Sequence, residues 1–310
     1  HTAFREKHVR RALVALESCH AGATLGLSAT YRRQFDEAGT GALVAWFGPV
    51  LDPVIGIAEA IAMGRLVPYD YRLHTLELEP DEVASYQDFT DRIRRAAGGD
   101  DVEPSEYLRM LWIQRARILK QASGKAGKAV EILSSEFKPD DRWLVYCDDI
   151  GQVNEVVGSA LERDLPVMEF HSMMPGDRDS VLRSLEHRGG IVVAIRCLDE
   201  GVDLPACNRA LILASSTVER EYIQRRGRVL RTAKGKVSAT VHDLVLVDER
   251  GGALTKGEAL RALEFARLAR NPAARASLQL LLALSSDAAV TPGLAWASEY
   301  DDSGGPSDAE

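Results

Sequence analysis

A chain of 310 residues has room for two domains of ordinary size, and its 45% hydrophobic content is what a packed core needs, which excludes a disordered protein. The formal net charge of −8, with five acids and no base in the last twelve residues, excludes a surface that coats nucleic acid throughout, so any such contact must be local. No apolar run reaches the ~18 residues of a membrane span, and the four cysteines (Cys19, Cys147, Cys197, Cys207) lack CxxC spacing, so they read as thiols of a reducing, cytoplasmic compartment and not as metal ligands.

In chain order, residues 2–18 predict an amphipathic helix and residues 23–27 a short buried strand that ends in Ser28, Ala29 and Thr30. Residues 42–51 form a second apolar, strand-like run, followed by a helix over 57–63 that stops at Gly64. Residues 71–78 alternate as a half-buried strand.

From 80 to 136 the pattern is helical, broken at Gly98, Gly99, Asp100 and Asp101, which are loop formers. The second of these helices, over 105–122, carries Arg109, Arg115, Arg117 and Lys120, with Lys125 and Lys128 beyond it. Two readings stay open for them, a contact to a phosphate backbone and a solvated helix face. Neither Gly124-Lys125 nor Gly127-Lys128 completes G-x-x-x-x-G-K-[ST], and both follow a helix where that loop must follow a strand, so a phosphate loop is rejected.

Strands at 142–147, 167–171, 191–196, 210–214 and 239–247 then alternate with helices at 151–163, 176–187 and 217–231, which predicts an α/β fold with a parallel sheet covered on both faces. In the last of these helices, spacing at 100° per residue puts Tyr222, Ile223, Val229 and Leu230 on one side and Gln224, Gly227, Arg228 and Arg231 on the other. One face buries, and the other offers paired guanidinium forks suited to a polyphosphate. Strand 191–195 runs into Asp199, Glu200, Gly201 and Asp203, so carboxylate, glycine and arginines are expected to gather at the carboxyl ends of neighbouring strands, where open α/β sheets bind ligands. After Val247 come a Gly-Gly turn, a helix over 256–270, a Leu-rich helical stretch to 284 and an acidic Gly-Ser tail predicted to be disordered.

Residues 224–231, Gln-Arg-Arg-Gly-Arg-Val-Leu-Arg, resemble motif VI of the superfamily 2 helicases, and residues 200–205, Glu-Gly-Val-Asp-Leu-Pro, resemble their motif V. In the family's order, Ser28-Ala29-Thr30 resembles motif III, Val145-Tyr146-Cys147-Asp148 motif IV, and Phe170-His171-Ser172 the segment after it that helps hold the nucleic-acid strand. The resemblance covers about residues 1–250 and is strongest for the restriction and repair branch that acts on DNA. It implies a RecA-like helicase C-terminal lobe at 67–250 with a helical insertion at 80–136, a remnant of the first RecA-like lobe at 1–66, C-terminal helices at 251–295 and an acidic tail at 296–310.

The same resemblance implies an ATP-dependent DNA helicase or translocase using ATP and Mg²⁺, with nucleic acid as partner, DNA before RNA, and a nuclease or restriction and repair factor as a further one. Arg228 and Arg231 would be arginine fingers. Gly201, Asp203 and Gln224 would contact ATP, Ser28 and Thr30 would couple the lobes, and His171, Ser172 and Arg196 would touch the DNA backbone. No metal ligands are assigned. A Walker A lysine and an acidic Mg²⁺ box are not found in the 310 residues. His1 stands 27 positions before Ser28, about where an Asp-Glu-x-His box would end, so the chain is expected to begin inside or just after that box and to be inactive alone. The alternative is a non-catalytic RecA-like scaffold for nucleic acid or protein. A Rossmann-type transferase or dehydrogenase is set aside, because no G-x-G-x-x-G follows the first strand.

Overall fold

Segments such as Arg142–Tyr146 and Gly190–Ala194 are apolar on both sides, a pattern that suits only strands covered on two faces. The computed structural model describes residues 23–26, 37–96, 105–174, 176–195, 206–214 and 227–284, in two units, His1–Gly56 and Ile57–Glu310.

The first unit departs from the sequence reading at two places. Where a strand was predicted over 42–51 there is a helix, α1 (Glu37–Phe47). A short apolar run satisfies either period, and here the stop decides. Gly48 takes φ +85° and donates its N–H to the Val44 carbonyl at 2.9 Å, the left-handed ending of a helix. Residues 23–26 are irregular and exposed, with Leu25 at 67%, and do not form a buried strand. A strand needs a neighbour for its N–H and C=O groups, and among the described residues none pairs with 23–26.

The second unit opens with α2 (Ile57–Ala62), which stops before Gly64 at φ +67°. Six strands follow in one sheet: β1 (Tyr69–Glu77), β2 (Arg142–Tyr146), β3 (Val167–Phe170), β4 (Gly190–Ala194), β5 (Arg209–Ile212) and β6 (Ala239–Val247). Their order is β1-β6-β5-β2-β4-β3, and every neighbouring pair is parallel. Strand alternation sends Trp143, Val145, Ile191, Val193 and Leu211 to one face, against α5 (Gly124–Glu136) and α6 (Ile150–Leu161). It sends Leu144, Tyr146, Val192 and Ile212 to the other, against α7 (Arg178–Arg188), α8 (Lys256–Arg267) and α9 (Pro272–Leu284). No helix among the described residues is long and apolar enough to cross a membrane.

The expected sheet strands and helices over 142–214 appear within a few residues of their predicted ends. The helical stretch at 80–136 divides in two. Helices α3 (Pro80–Ala96) and α4 (Glu106–Lys120) form a hairpin around Ile93, Leu108, Leu111 and Trp112, whereas α5 packs on the sheet itself. Two of its basic residues fit neither a phosphate contact nor a solvated face. Arg115 is only 3% exposed, with its guanidinium 5.6 Å over the Tyr86 ring. Lys125 is 1% exposed and donates to the Leu213 carbonyl at 2.7 Å. Both sit on helix faces lined with Leu and Ala, which draw in the aliphatic stems.

At the far side, α8 and α9 close over β1 and β6. The Tyr69 hydroxyl donates to the Phe265 carbonyl at 2.6 Å, and Asn271 exchanges two 2.8 Å hydrogen bonds with the Tyr71 backbone. Arg261 donates to Asp243 at 3.1 Å and the Tyr71 hydroxyl donates to it at 2.8 Å, all three residues buried. Burial, then Asp243, pushes the Tyr71 phenol far above its ordinary range, so it stays a donor.

Breaking this triad on one side should be costly. Arg261→Ala leaves the Asp243 carboxylate buried with Tyr71 alone, and urea unfolding is expected to show a loss of about 3 kcal/mol. The double change Arg261→Met with Asp243→Asn removes both charges and should lose clearly less.

A second stability prediction concerns pH. On the α5 side, His74 stacks on His242 with ring centroids 5.2 Å apart, and a 3.0 Å hydrogen bond joins His74 Nε2 and His242 Nδ1. Burial, then the charge that His74 or the nearby arginines would add, pushes His242 down to about 3 from an ordinary 6.5. Below pH 6.5 the unfolded chain therefore takes up a proton that the folded chain refuses, so stability present above 6.5 falls toward pH 3. By about pH 5 the loss attributable to this ring should be roughly 2 kcal/mol. His242→Asn should flatten that part of the stability curve, and an unchanged slope would place the loss elsewhere.

Candidate functional site

Parallel strands offer two edges to a ligand, and the sequence reading favoured the carboxyl one. At the end of β2, Asp149 caps α6 by accepting from the Gln152 N–H at 2.8 Å, and Gln152 returns its side-chain oxygen to the Asp148 N–H at 2.9 Å. Gln121, at the end of α4, donates to Asp149 at 2.6 Å and to Asp148 at 3.3 Å. These two carboxylates are thus engaged in holding the α3–α4 hairpin to the sheet. At the end of β3, His171 is only 6% exposed and its Nε2 lies 3.4 Å from Glu169 Oε2. Its ring is buried at the loop that follows β3. Ser172, beside it, is exposed. Arg196, Gly201, Asp203 and Gln224 lie outside the described residues, as do Ser28 and Thr30.

The arginines are elsewhere. Residues 227–229 are helical, Leu230 turns, and Arg231 forms an isolated antiparallel bridge with Leu66. Arg231 therefore stands past the end of the helix predicted over 217–231. Val229 and Leu230 are buried at 1% and 0%, as their spacing implied, while Arg228 is half-buried and Arg231 exposed. A Cβ added at Gly227 would meet nothing within 4 Å among the described residues. The Val67 N–H donates to the Leu230 carbonyl at 2.8 Å, two residues before β1 begins, and the Lys236 ammonium donates to the Val229 carbonyl at 2.7 Å, just before β6. The Arg turn therefore sits at the amino edge of β1 and β6.

This corrects the expected gathering at the carboxyl ends, and the reason is connectivity. A segment that leaves the carboxyl end of β5 and must enter parallel β6 has to return across the sheet. Its last residues arrive at the opposite edge. Arg228 and Arg231 are thus brought together with each other and with Leu66, Val67 and Lys236, and are held apart from Ser172. Five strand spacings of ~4.8 Å separate the β1 and β3 sides by roughly 24 Å.

Sequence reasoning missed Lys236 and the inward turn of Lys125. Lys125 could have been found, since it falls on the same helical face as Ala122, Ala129 and Ile132. The only signal at Lys236 was Gly235 before it, which takes φ +79°. Burial pushes the Lys236 amine down to about 8 and the Cys207 thiol near it up to about 12. Cys147 is pushed higher still by burial, so neither described cysteine is a thiolate at neutral pH. Among the described residues no group of three or more His, Cys, Asp or Glu could hold a metal ion.

Residues 124–233 match the helicase conserved C-terminal domain family. The chain is similar to the DNA 3'-5' translocase XPB2 of Sulfurisphaera tokodaii, 28% identical over 153 residues that make up 48% of this chain and 32% of that protein. It is similar also to the putative ATP-dependent RNA helicase MJ1505 of Methanocaldococcus jannaschii, 24% identical over 123 residues, 36% of this chain and 16% of that one. It thus spans about a third of the first relative's length and less of the second's. Among solved structures, the Sulfolobus solfataricus SWI2/SNF2 ATPase core in complex with dsDNA aligns at a TM-score of 0.48 and 16% identity, covering 84% of this chain and 54% of that one. The parallel sheet covered on both faces and the Arg turn thus fall largely within the span that is similar to the helicase conserved C-terminal domain.

Proposed function

We propose that this chain supplies the second RecA-like lobe of an ATP-dependent DNA helicase or translocase, working in the cytoplasm. The observation that carries the reading is the Arg turn: two arginines three residues apart on a turn that is hydrogen-bonded to the segment that leads into β1. Such a turn can present planar, permanently charged forks to a polyphosphate without moving the sheet.

In this reading Arg231 and Arg228 meet the negative charge that grows on the γ-phosphoryl oxygens during hydrolysis. Mg²⁺, when bound with ATP, would neutralise part of the triphosphate charge. Gln224 hydrogen-bonds the triphosphate or the attacking water, Gly201 lets the nucleotide approach the backbone, and Asp203 orients a finger or binds the ribose. Ser28 and Thr30 couple the lobes. Ser172 and Arg196 hold the DNA backbone, a contact that positions without reading sequence. In this reading the triphosphate is cradled by a first lobe with a glycine-rich phosphate loop. DNA is favoured over RNA by the motif pattern of the restriction and repair branch.

In the full-length protein, Arg231→Ala and Arg228→Ala should each lower ATP turnover by roughly 10³-fold or more, the range of arginine fingers, with DNA binding nearly intact. Arg231→Lys should fail to restore turnover, since an ammonium has no planar fork. Wild-type turnover in the alanine variants would remove the finger assignment and leave a scaffold.

DNA binding should be indifferent to sequence and should weaken steeply with salt, because the contacts are to phosphate and the chain carries a net −8. Affinity measured at two salt concentrations checks it, and sequence-selective, salt-insensitive binding would contradict it.

A further inference from the structure

The Arg turn ends in carbonyls that a helix cannot satisfy from within. Each has a partner. The Arg228 carbonyl accepts from the Arg231 N–H at 3.4 Å, the Val229 carbonyl from Lys236 Nζ at 2.7 Å, and the Leu230 carbonyl from the Val67 N–H at 2.8 Å. The two flanking partners come from opposite directions along the chain, Lys236 from the loop entering β6 and Val67 from the approach to β1. We propose that Lys236 is a positioning residue for ATP hydrolysis, its ammonium seated on the Val229 carbonyl so that, with the backbone pairing of Leu66 and Val67, it fixes where Arg228 and Arg231 point. The proposal rests on the hydrolytic reading above.

Three observations support it beyond the distance. First, the side chain is itself held. The Lys236 N–H donates to the Ala233 carbonyl at 3.0 Å and Gly235 adopts φ +79°, a tight turn that aims the stem back toward the arginines. Second, a cation at the carboxyl end of a helical turn lies where the peptide dipoles favour positive charge. Third, the amine is half-buried, and burial pulls it down to about 8 although the Cys207 thiol nearby acts in the opposite direction. A lysine that served only solubility would keep its hydration; this one exchanges part of its water for the Val229 carbonyl.

The consequence is mechanical. The residues just before β1 and the base of the arginines share one short antiparallel pairing, so a displacement of Leu66 and Val67 is passed to Arg231 directly. Lys236 holds the other side of that pairing. A shift of about 1 Å at groups that stabilise a transition state costs on the order of 10²-fold in rate.

The test uses the full-length protein with Lys236→Met, which keeps the stem and removes the donor, and Lys236→Arg, which keeps a charged donor. Hydrogen exchange at Val67 and at residues 227–231 is read beside DNA-stimulated ATP turnover. Lys236→Met should speed exchange at both places and lower kcat on the order of 10²-fold, with KM for ATP within about twofold; Lys236→Arg should restore most of both. Unchanged exchange in Lys236→Met overturns the clamp whatever the turnover shows. Faster exchange with wild-type kcat, in a protein whose Arg231→Ala variant is dead, overturns the positioning role and spares the hydrolytic reading. Wild-type turnover in both Arg228→Ala and Arg231→Ala defeats the hydrolytic reading, and the positioning role with it.

Discussion

All six strands run the same way, and most of the architecture depends on that constraint. A parallel neighbour cannot be reached by a hairpin, so each connection must recross a face of the sheet, and each face must be covered to satisfy the apolar side chains it presents. The same recrossing brings the chain after β5 back to the edge where β6 begins. The position of Arg228 and Arg231 at that edge is thus a product of topology before it is a product of function. Their place beside Leu66 and Val67 comes from β1, which pairs with β6 although the other four strands all lie between Tyr69 and its partner Ala239 in the sequence.

That long closure has to be stabilised against its loop entropy. Nine residues of register between β1 and β6 contribute backbone hydrogen bonds, but a parallel pair alone leaves one face of β1 open. The cover is α8 and α9, and its polar core is Asp243 with Tyr71 and Arg261. Asp243 is at the centre of β6, Tyr71 on β1 and Arg261 on α8, so one carboxylate ties three elements from distant parts of the sequence. Buried ion pairs of this type add little over apolar packing in net stability. They do enforce register, because a slip by one residue would leave a carboxylate and a guanidinium buried without each other. The start of β1, and with it Leu66, is held by the same register.

How much of this could be read from sequence depended on how many physical rules agreed at each place. From Arg142 to Val247 the strands were legible because branched residues, turn formers and alternating helical segments all gave one answer. The apolar run at 42–51 was not, because Ala42, Leu43, Val44 and Ala45 fit a helix and a strand equally and the deciding signal, Gly48 in the left-handed region, lies at its far end. The burial of Val229 and Leu230 followed from their spacing, yet the same spacing wrongly extended the helix through Arg231, which pairs with Leu66 instead. No local pattern announces a partner so far back in the chain. Lys125 and Arg115 show the converse error. Their charge suggested a surface, but long stems on faces of Ala and Leu turn inward, and each charge finds a carbonyl or an aromatic ring.

In the proposed reading, the sheet would also keep two ligands of one lobe apart. Ser172 follows β3 at the carboxyl edge of one side, and the Arg turn precedes β6 at the amino edge of the other. Between them lies a sheet buried on both faces, with Leu144, Val145, Val192, Val193 and Leu211 each at 1% exposure or less. Close-packed interiors deform little and transmit displacement as rigid bodies. A polyphosphate at one corner and a nucleic-acid backbone at the other would therefore communicate by movement of the whole lobe, not by a chain of side chains between them. The one described place where such a movement reaches the arginines through backbone hydrogen bonds is the pairing of Leu66 and Val67 with Leu230 and Arg231, which lies on the path by which the chain enters the sheet.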